Sequence, residues 1–258
     1  HKATSIWARF PLREDPVGVF DGYASERCYS LIWTTTPWTI PGNMAICVHP
    51  ELDYVIVEVK GERYLLAEGR LTVTRDVLGW GEGAQTINRL KGSELNGIEF
   101  THPLYDRPSP IVCGDHVTLE QGTGCVHTAP GHGPEDFAVC QREGIEVVCV
   151  VDEFGRFIDS AGERLAGMDV DVGNKLVLDW LKDIEGLIHT ETTEHSYPHC
   201  WRCKNPIIWR ATVQWFMNID KDDHRGRCMA EIGKVQWIPE EGRERITAMV
   251  ENRPDWCL

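Results

Sequence analysis

The sequence predicts a β-rich α+β domain followed by a small CxxC and helical segment, and three observations support this. Runs of aromatic and β-branched residues, broken by Pro and Gly, cover 28–34 and 44–59. Apolar residues at helical spacing are confined to a few stretches. Near residue 190 the texture changes to a CxxC element followed by helices, so 1–194 form the expected main domain and 195–258 a smaller segment.

In chain order, 28–34 (CYSLIWT) and 44–59 (MAICVHPELDYVIVEV) read as strands. Residues 55–59 and 63–67, joined by Lys60-Gly61-Glu62, form an expected hairpin. A second is expected from 147–151 and 154–158, joined near Asp152-Glu153. Gly133-Pro134-Glu135-Asp136 opens a helix, with Pro in the first turn, acids beside it and Gly144 closing it. Residues 172–183 and 240–250 carry apolar residues at helical spacing.

At 258 residues the chain can bury a sizeable core. No apolar run approaches the ~20 residues of a membrane span, and no signal peptide opens the sequence. The first residue is His1, and 252–258 stop in mid-pattern, so a piece of a longer chain is expected. The net charge of −14 argues against a general nucleic-acid binder, which gains affinity by neutralising phosphates. Residues 195–258 hold 10 Lys/Arg against 9 Asp/Glu, while 1–194 hold 16 against 31. Any nucleic-acid backbone contact is therefore expected near the C-terminal segment or beyond it. Several of the ten cysteines, Cys47 and Cys149 among them, sit in apolar runs as buried free thiols do, which suits a reducing cytosol.

Three clusters carry chemistry. Thr34-Thr35-Thr36-Pro37-Trp38-Thr39-Ile40-Pro41-Gly42-Asn43 ends a strand in hydroxyls, and its prolines block ladder pairing, leaving backbone groups for a ligand. Threonine is at home in strands, so an ordinary strand end looks the same. Gly122-Thr123-Gly124-Cys125-Val126-His127-Thr128-Ala129-Pro130-Gly131-His132-Gly133-Pro134-Glu135-Asp136 brings His127, His132 and Asp136 to one helix entry. Asp136 in the first turn is expected to stay ionised through the helix dipole and could receive an ammonium group; equally, it could only stabilise its helix. A metal held by His127, His132 and Asp136 is conceivable, although no HExxH-type spacing supports it.

The third cluster is His195-Ser196-Tyr197-Pro198-His199-Cys200-Trp201-Arg202-Cys203. A CxxC turn supplies two of the four ligands zinc needs. The other two come from elsewhere in a longer chain, or from His195 and His199. His189-Thr190-Glu191 raises the zinc deaminases, but His199 separates Pro198 from Cys200 and the intervening chain is too short for their two helices, which excludes them.

Together these clusters resemble the isoleucyl-tRNA synthetases. TTTPWTIPGN, GTGCVHTAPGHGPEDF, HSYPHCWRCK and WIPEEGRERITAMVENRPDWC occur in that family in this order, and the resemblance covers nearly the whole chain. The valyl and leucyl relatives carry Arg-Pro after the first two threonines, whereas this chain has Thr36-Pro37-Trp38. Gly42 departs from the Ala or Ser of many members and is expected to leave the pocket intact. The HIGH and KMSKS signatures are missing, so this stretch is not expected to activate an amino acid.

The resemblance implies a β-barrel-like editing domain with flanking helices, the connective insertion of the synthetase, plus the segment re-entering its catalytic core. It implies an aminoacyl-tRNA deacylase whose parent is an ATP-using isoleucine–tRNA ligase. An apolar pocket separates isoleucine from valine by one methylene, worth ~1–3 kcal/mol, so a second, smaller pocket must remove the error; this is the established argument for that synthetase and owes nothing to this chain. Implied partners are the 3′ end of tRNA(Ile) carrying valine, valine itself and the rest of the synthetase. A cytoplasmic monomer without membrane contact is expected. No cofactor is expected for editing, and zinc in the full-length protein has its half-site at Cys200 and Cys203.

By the same resemblance, Thr34, Thr35, Thr36 and Asn43 hold the ester and terminal adenosine, and Trp38 and His132 complete the lining. His127 limits the pocket volume, and Asp136 binds the α-ammonium of valine. The alternatives are an editing domain of a valyl or leucyl relative, or a non-catalytic zinc-ribbon module that docks tRNA.

Overall fold

A computed structural model describes all residues except His1, Asp21 and His195, with only the backbone of Lys2 considered. In chain order the strands are β1 (Lys2–Glu14), β2 (Cys28–Thr34), β3 (Ala45–Val48), β4 (Asp53–Val59), β5 (Glu62–Ala67), β6 (Gln85–Lys91), β7 (Glu99–Thr101), β8 (Pro108–Cys113), β9 (Val126–Thr128), β10 (Leu187–Glu194), β11 (Phe216–Met217) and β12 (Trp256–Cys257). The helices are α1 (Leu71–Leu78), α2 (Pro134–Arg142), α3 (Val170–Asp183), α4 (His224–Ile232) and α5 (Glu241–Glu251). The α+β expectation holds.

One sheet runs in the order β6-β4-β5-β2-β1-β7-β8-β3-β9, with β10 also on β1. Its two halves are joined by β1, which changes partners along its length. The first part of β1 pairs with β10 and β2, and past Pro11 it crosses to β7 with a register shift between Leu12 and Glu14. Pro11 stands where the strand changes partners, a place that tolerates a residue without N–H. The residues of β2, β3 and β4 are almost entirely buried, as their apolar runs require. One core is built on Phe10, Ile32, Ile46, Tyr54, Ile56 and Phe100, and α3 joins it through Val177 and Leu181.

The 55–67 hairpin forms as expected. Val59 faces Glu62, and Lys60 and Gly61 both adopt positive φ, the turn whose twist matches the strands. The run 44–59 splits into β3 and β4 because His49-Pro50 turns the chain. The expected 147–158 hairpin does not form a ladder. The arms meet only near the tip, where Val151 bridges Phe157, Asp152 N–H donates to Arg156 O (2.8 Å) and Ile158 N–H to Val150 O (3.0 Å). There the Asp152 carboxylate takes the N–H groups of Phe154 and Arg156 at 2.9 Å each. Cys47 is buried as expected, whereas Cys149 is half-buried.

The chain divides into two compact units, 1–211 and 212–258, rather than at the change of texture near 195. The reason is local: Ala211 N–H donates to Gly131 O (2.8 Å) and Arg210 Nε to Val151 O (3.1 Å), which stitches 209–211 to the first unit. The second unit holds α4, α5 and the β11–β12 pair. Arg225 ties it together through Asp220 (2.6 Å) and the carbonyls of Glu251 (2.9 Å) and Arg253 (2.7 Å). Among the described residues no helix is long and apolar enough to cross a membrane.

Candidate functional site

The threonine-rich segment leaves β2 at Thr34 and coils into a 3-10 turn over Pro37–Gly42, since Pro37 and Pro41 cannot donate to a ladder. Its hydroxyls bond within the turn. Thr36 N–H donates to Thr34 Oγ1 (3.1 Å), and Thr39 Oγ1 donates to the Thr36 carbonyl (2.8 Å).

Two other elements grip the turn. After β7, the buried His102 takes N–H groups of Leu104 (3.0 Å) and Tyr105 (3.2 Å) on Nδ1, so its Nε2–H donates to Ile40 O (2.8 Å). Arg107 Nη2 donates to Pro41 O. From β9, His127 lies between Thr39 Oγ1, 2.9 Å from Nε2, and Asn43 Nδ2, 2.8 Å from Nδ1. Asn43 is fully buried and its amide is committed internally: Nδ2 also donates to Ala45 O (2.8 Å), and Oδ1 accepts from Ser109 Oγ (2.7 Å). Burial, helped by the nearby His132 and Arg107, pushes the His127 pKa down to about 3, so the ring is neutral.

The glycine-rich segment runs from β9 through a turn into α2. The Asp136 carboxylate accepts Ala129 N–H at 2.8 Å. The expectation that the dipole governs its charge needs correction. Burial is the larger effect and raises the pKa to about 6, against the pull of the Ala129 N–H, with Glu135 adding to the rise. At pH 7 the group is still mostly ionised. Dipole and N–H reward an anion by roughly 1 kcal/mol each, less than desolvation takes away.

His132 spans three segments. Val150 N–H donates to its Nε2 (3.2 Å), its Nδ1–H donates to Trp209 O (3.0 Å), and its ring meets Trp38 edge-on at 5.0 Å between centroids. A Cβ on Gly42 would stand 3.1 Å from His132 Cδ2, so Ala or Ser at 42 would require that ring to give by a few tenths of an ångström.

A cavity of about 790 Å³ opens beside the turn, lined by Thr35, Thr36 and Trp38 together with Phe154, Asn174 and Ile207 among others. Thr34, Thr36, Asn43 and His127 thus share one bonded network, and Thr35, Thr36 and Trp38 face the cavity. His132 is joined to Trp38. Thr34, Asn43, His127, His132 and Asp136 are not part of that lining. His127 is joined to the lining residue Thr36 through Thr39, and Asp136 stands past the exit of β9. The end of β2 packs beside β9, which places the threonines next to the strand carrying His127. Ser109, His102 and Arg107 are invisible to motif spacing, because FTHPLYDRPSP has none; Thr39 lies inside the threonine-rich motif with nothing in the pattern to mark it out.

Cys200 and Cys203 sit on a tight turn, with Cys200 N–H donating to Asn205 O and Lys204 N–H to Cys200 O, both at 2.8 Å. The N–H groups of Cys203 and Arg202 face the Cys200 sulfur and hold its thiol below the usual value. Two thiols on such a turn suit half of a tetrahedral zinc site. Among the described residues no group of three His, Cys, Asp or Glu side chains is placed to hold a metal, including His127, His132 and Asp136. His195 lies outside the described residues, and His199 Nδ1 contacts Tyr197 O (2.8 Å).

The family model for tRNA synthetases class I (I, L, M and V) matches residues 35–258. Similar proteins include the isoleucine–tRNA ligases of Desulfovibrio desulfuricans, 46% identical over 100% of this chain and 28% of that protein. Those of Geobacter sulfurreducens (47%, 98% and 27%) and Thermotoga neapolitana (44%, 100% and 27%) are also similar. The chain therefore spans just over a quarter of their length. In fold it is similar to the crystal structure of GlLeuRS-CP1, with a TM-score of 0.57 at 15% identity, covering 75% of this chain and 100% of that one. It is also similar to the P. knowlesi cytosolic leucyl-tRNA synthetase editing domain, with a TM-score of 0.54 at 10% identity, covering 74% and 97%.

Proposed function

The chain belongs to the class I tRNA synthetases, and on that premise we propose that it is the editing domain of an isoleucine–tRNA ligase, hydrolysing valine from misacylated tRNA(Ile). The observation that carries this reading is the neutral, fully bonded His127 fixed against a threonine turn that faces a cavity. A second sieve needs a wall that does not give, and in this reading the threonine turn is that wall, with His127 bracing it through Thr39.

Hydrolysis of an ester requires a water aligned on the carbonyl and donors for the developing oxyanion. Both ring nitrogens of His127 are committed, so the imidazole serves as a brace for the threonine turn and not as base. The hydroxyls of Thr35 and Thr36, on the cavity side, are the donors closest to a bound ester in this reading. Asp136 receives the α-ammonium, and the cation in turn favours its ionised form. Cys200 and Cys203 would hold zinc together with ligands from the remainder of the synthetase, where the metal supplies structure. The hydrolytic step passes through the chain's own residues.

The test is hydrolysis of valyl-tRNA(Ile) and isoleucyl-tRNA(Ile) by the purified chain, with and without a chelator. Turnover of the valyl ester alone, unaffected by chelation, is expected. Binding of tRNA without turnover would favour the docking module, and preference for a threonyl or methionyl ester a valyl or leucyl relative.

A further inference from the structure

Asn43 and Ser109 are both wholly buried, and neither reaches the cavity. We propose that these two are positioning residues, locking His127 in its Nε2–H form and thereby fixing, through Thr39, the Thr36 wall of the cavity that excludes the larger side chain. The consequence for specificity rests on the editing reading above; the lock itself rests on geometry alone.

An asparagine amide can be read in two orientations, but here only one satisfies its neighbours. The atom 2.8 Å from the Ala45 carbonyl faces a pure acceptor, so it must be the NH₂ group. The same NH₂ lies 2.8 Å from His127 Nδ1, which must therefore accept. The ring proton is left on Nε2 and points at Thr39 Oγ1, 2.9 Å away. That hydroxyl passes its own proton to the Thr36 carbonyl at 2.8 Å. At the other end, Ser109 Oγ donates to Asn43 Oδ1 at 2.7 Å.

The series from Ser109 to Thr36 thus has a single direction, and every donor meets an acceptor. A proton on Nδ1, in the neutral or the charged ring, would face the Asn43 NH₂ and leave buried donors opposed, a costly arrangement. The groups around the ring, His102, His132 and Arg107, offer no negative charge to stabilise an imidazolium. A residue on β8 therefore decides how a ring on β9 presents its face. Since valine and isoleucine differ by one methylene, a wall whose brace is free to turn over would no longer separate them.

The experiment is NMR of the chain with ¹⁵N-labelled histidine, alongside the two ester hydrolysis rates. The unmodified chain is expected to show His127 with Nδ1 bare and Nε2 protonated, without titration between about pH 5 and 8. Ser109→Ala releases the amide and should raise isoleucyl relative to valyl hydrolysis about tenfold, the effect of one buried hydrogen bond. Ser109→Cys, a weaker donor of similar size, should fall between the two. Asn43→Asp places an acceptor against Nδ1 and should bring a proton there, visible in the ring shifts even if turnover is lost. A proton on Nδ1 in the unmodified chain overturns the lock, as do unchanged spectra and an unchanged ester ratio in Ser109→Ala. A chain that shows the Nε2–H form yet hydrolyses neither ester refutes the editing reading and leaves the lock standing. One that edits valine with His127 protonated on Nδ1 does the reverse.

Discussion

Two turns frame the candidate site, and they treat their polar groups in opposite ways. At the threonine turn and the β9 histidine packed on it, burial and bonding agree. His127 is buried, neutral and bonded on both nitrogens, and Asn43 uses its whole amide internally. In the glycine-rich turn they conflict. Asp136 is drawn out of water with one backbone N–H for company, and its pKa climbs to about 6. Where the two forces agree, a residue is architecture and sets a shape. Where they conflict, the residue holds a charge the fold itself does not want, which is the usual signature of chemistry or binding.

The largest effect expected from that contrast is at Asp136. Losing a charge-assisted contact in a partly desolvated pocket costs ~1.5–3 kcal/mol, a tenfold to hundredfold fall in rate. Asp136→Ala should show this fall in valyl-tRNA(Ile) hydrolysis, while Glu135→Ala, exposed on the same helix turn, should not. Equal losses in both variants would mean that the acids serve only the helix, and the contrast between the turns would dissolve.

The pH profile of kcat/KM sharpens the same point. An anchor that ionises near 6 should make the rate fall about tenfold per pH unit below that value. His127, with its pKa near 3, should add no inflection between pH 5 and 8. An inflection that persists in Asp136→Asn would assign the titration to another group.

His127→Ala removes the brace behind the threonine wall without touching the anchor. Isoleucyl-tRNA(Ile) should then become a substrate, with discrimination falling by roughly the tenfold that one methylene is worth. Unchanged discrimination in competing hydrolysis assays would remove His127 from the size filter. Gly42→Ala should do least. Its new methyl meets His132 Cδ2 at 3.1 Å and shifts a ring that touches the site only through Trp38. A change of less than about 1 kcal/mol in stability and little in turnover is expected, read by thermal unfolding and initial rates.

The sequence revealed the elements whose pattern is local. The 55–67 hairpin, with Lys60-Gly61 at its tip, and α2, framed by Pro134 and Gly144, were readable because turn and cap chemistry sit within a few residues. The 147–158 pair looked like a full hairpin, but it closes only around Val151 and Phe157, and Phe157 N–H goes instead to the distant Met168 carbonyl. The site was legible only in part. His127, Asn43 and the threonines stood in recognisable runs, yet what holds them comes from His102, Arg107 and Ser109 on a hairpin with no motif at all. Long-range bonds such as Ser109 to Asn43 leave no periodic trace. Asp136 is ionised at pH 7 as expected, but its raised pKa was not legible, because a sequence displays the helix dipole and conceals the burial.

The most direct test of this contrast is Asp136→Asn, measured for stability and for hydrolysis at pH 7. Asparagine keeps an oxygen for Ala129 N–H and removes the charge. A carboxylate whose folded pKa lies above its unfolded value contributes most to stability below about pH 3.8 and loses that contribution as pH rises through 6. At pH 7 the ionised group therefore weighs on the fold by about 2–3 kcal/mol, given a rise of about two units. Chemical denaturation at pH 7 should show Asp136→Asn more stable than the unmodified chain, while valyl-tRNA(Ile) hydrolysis falls at least tenfold. A variant that is less stable, or one that edits at the unmodified rate, would contradict the account.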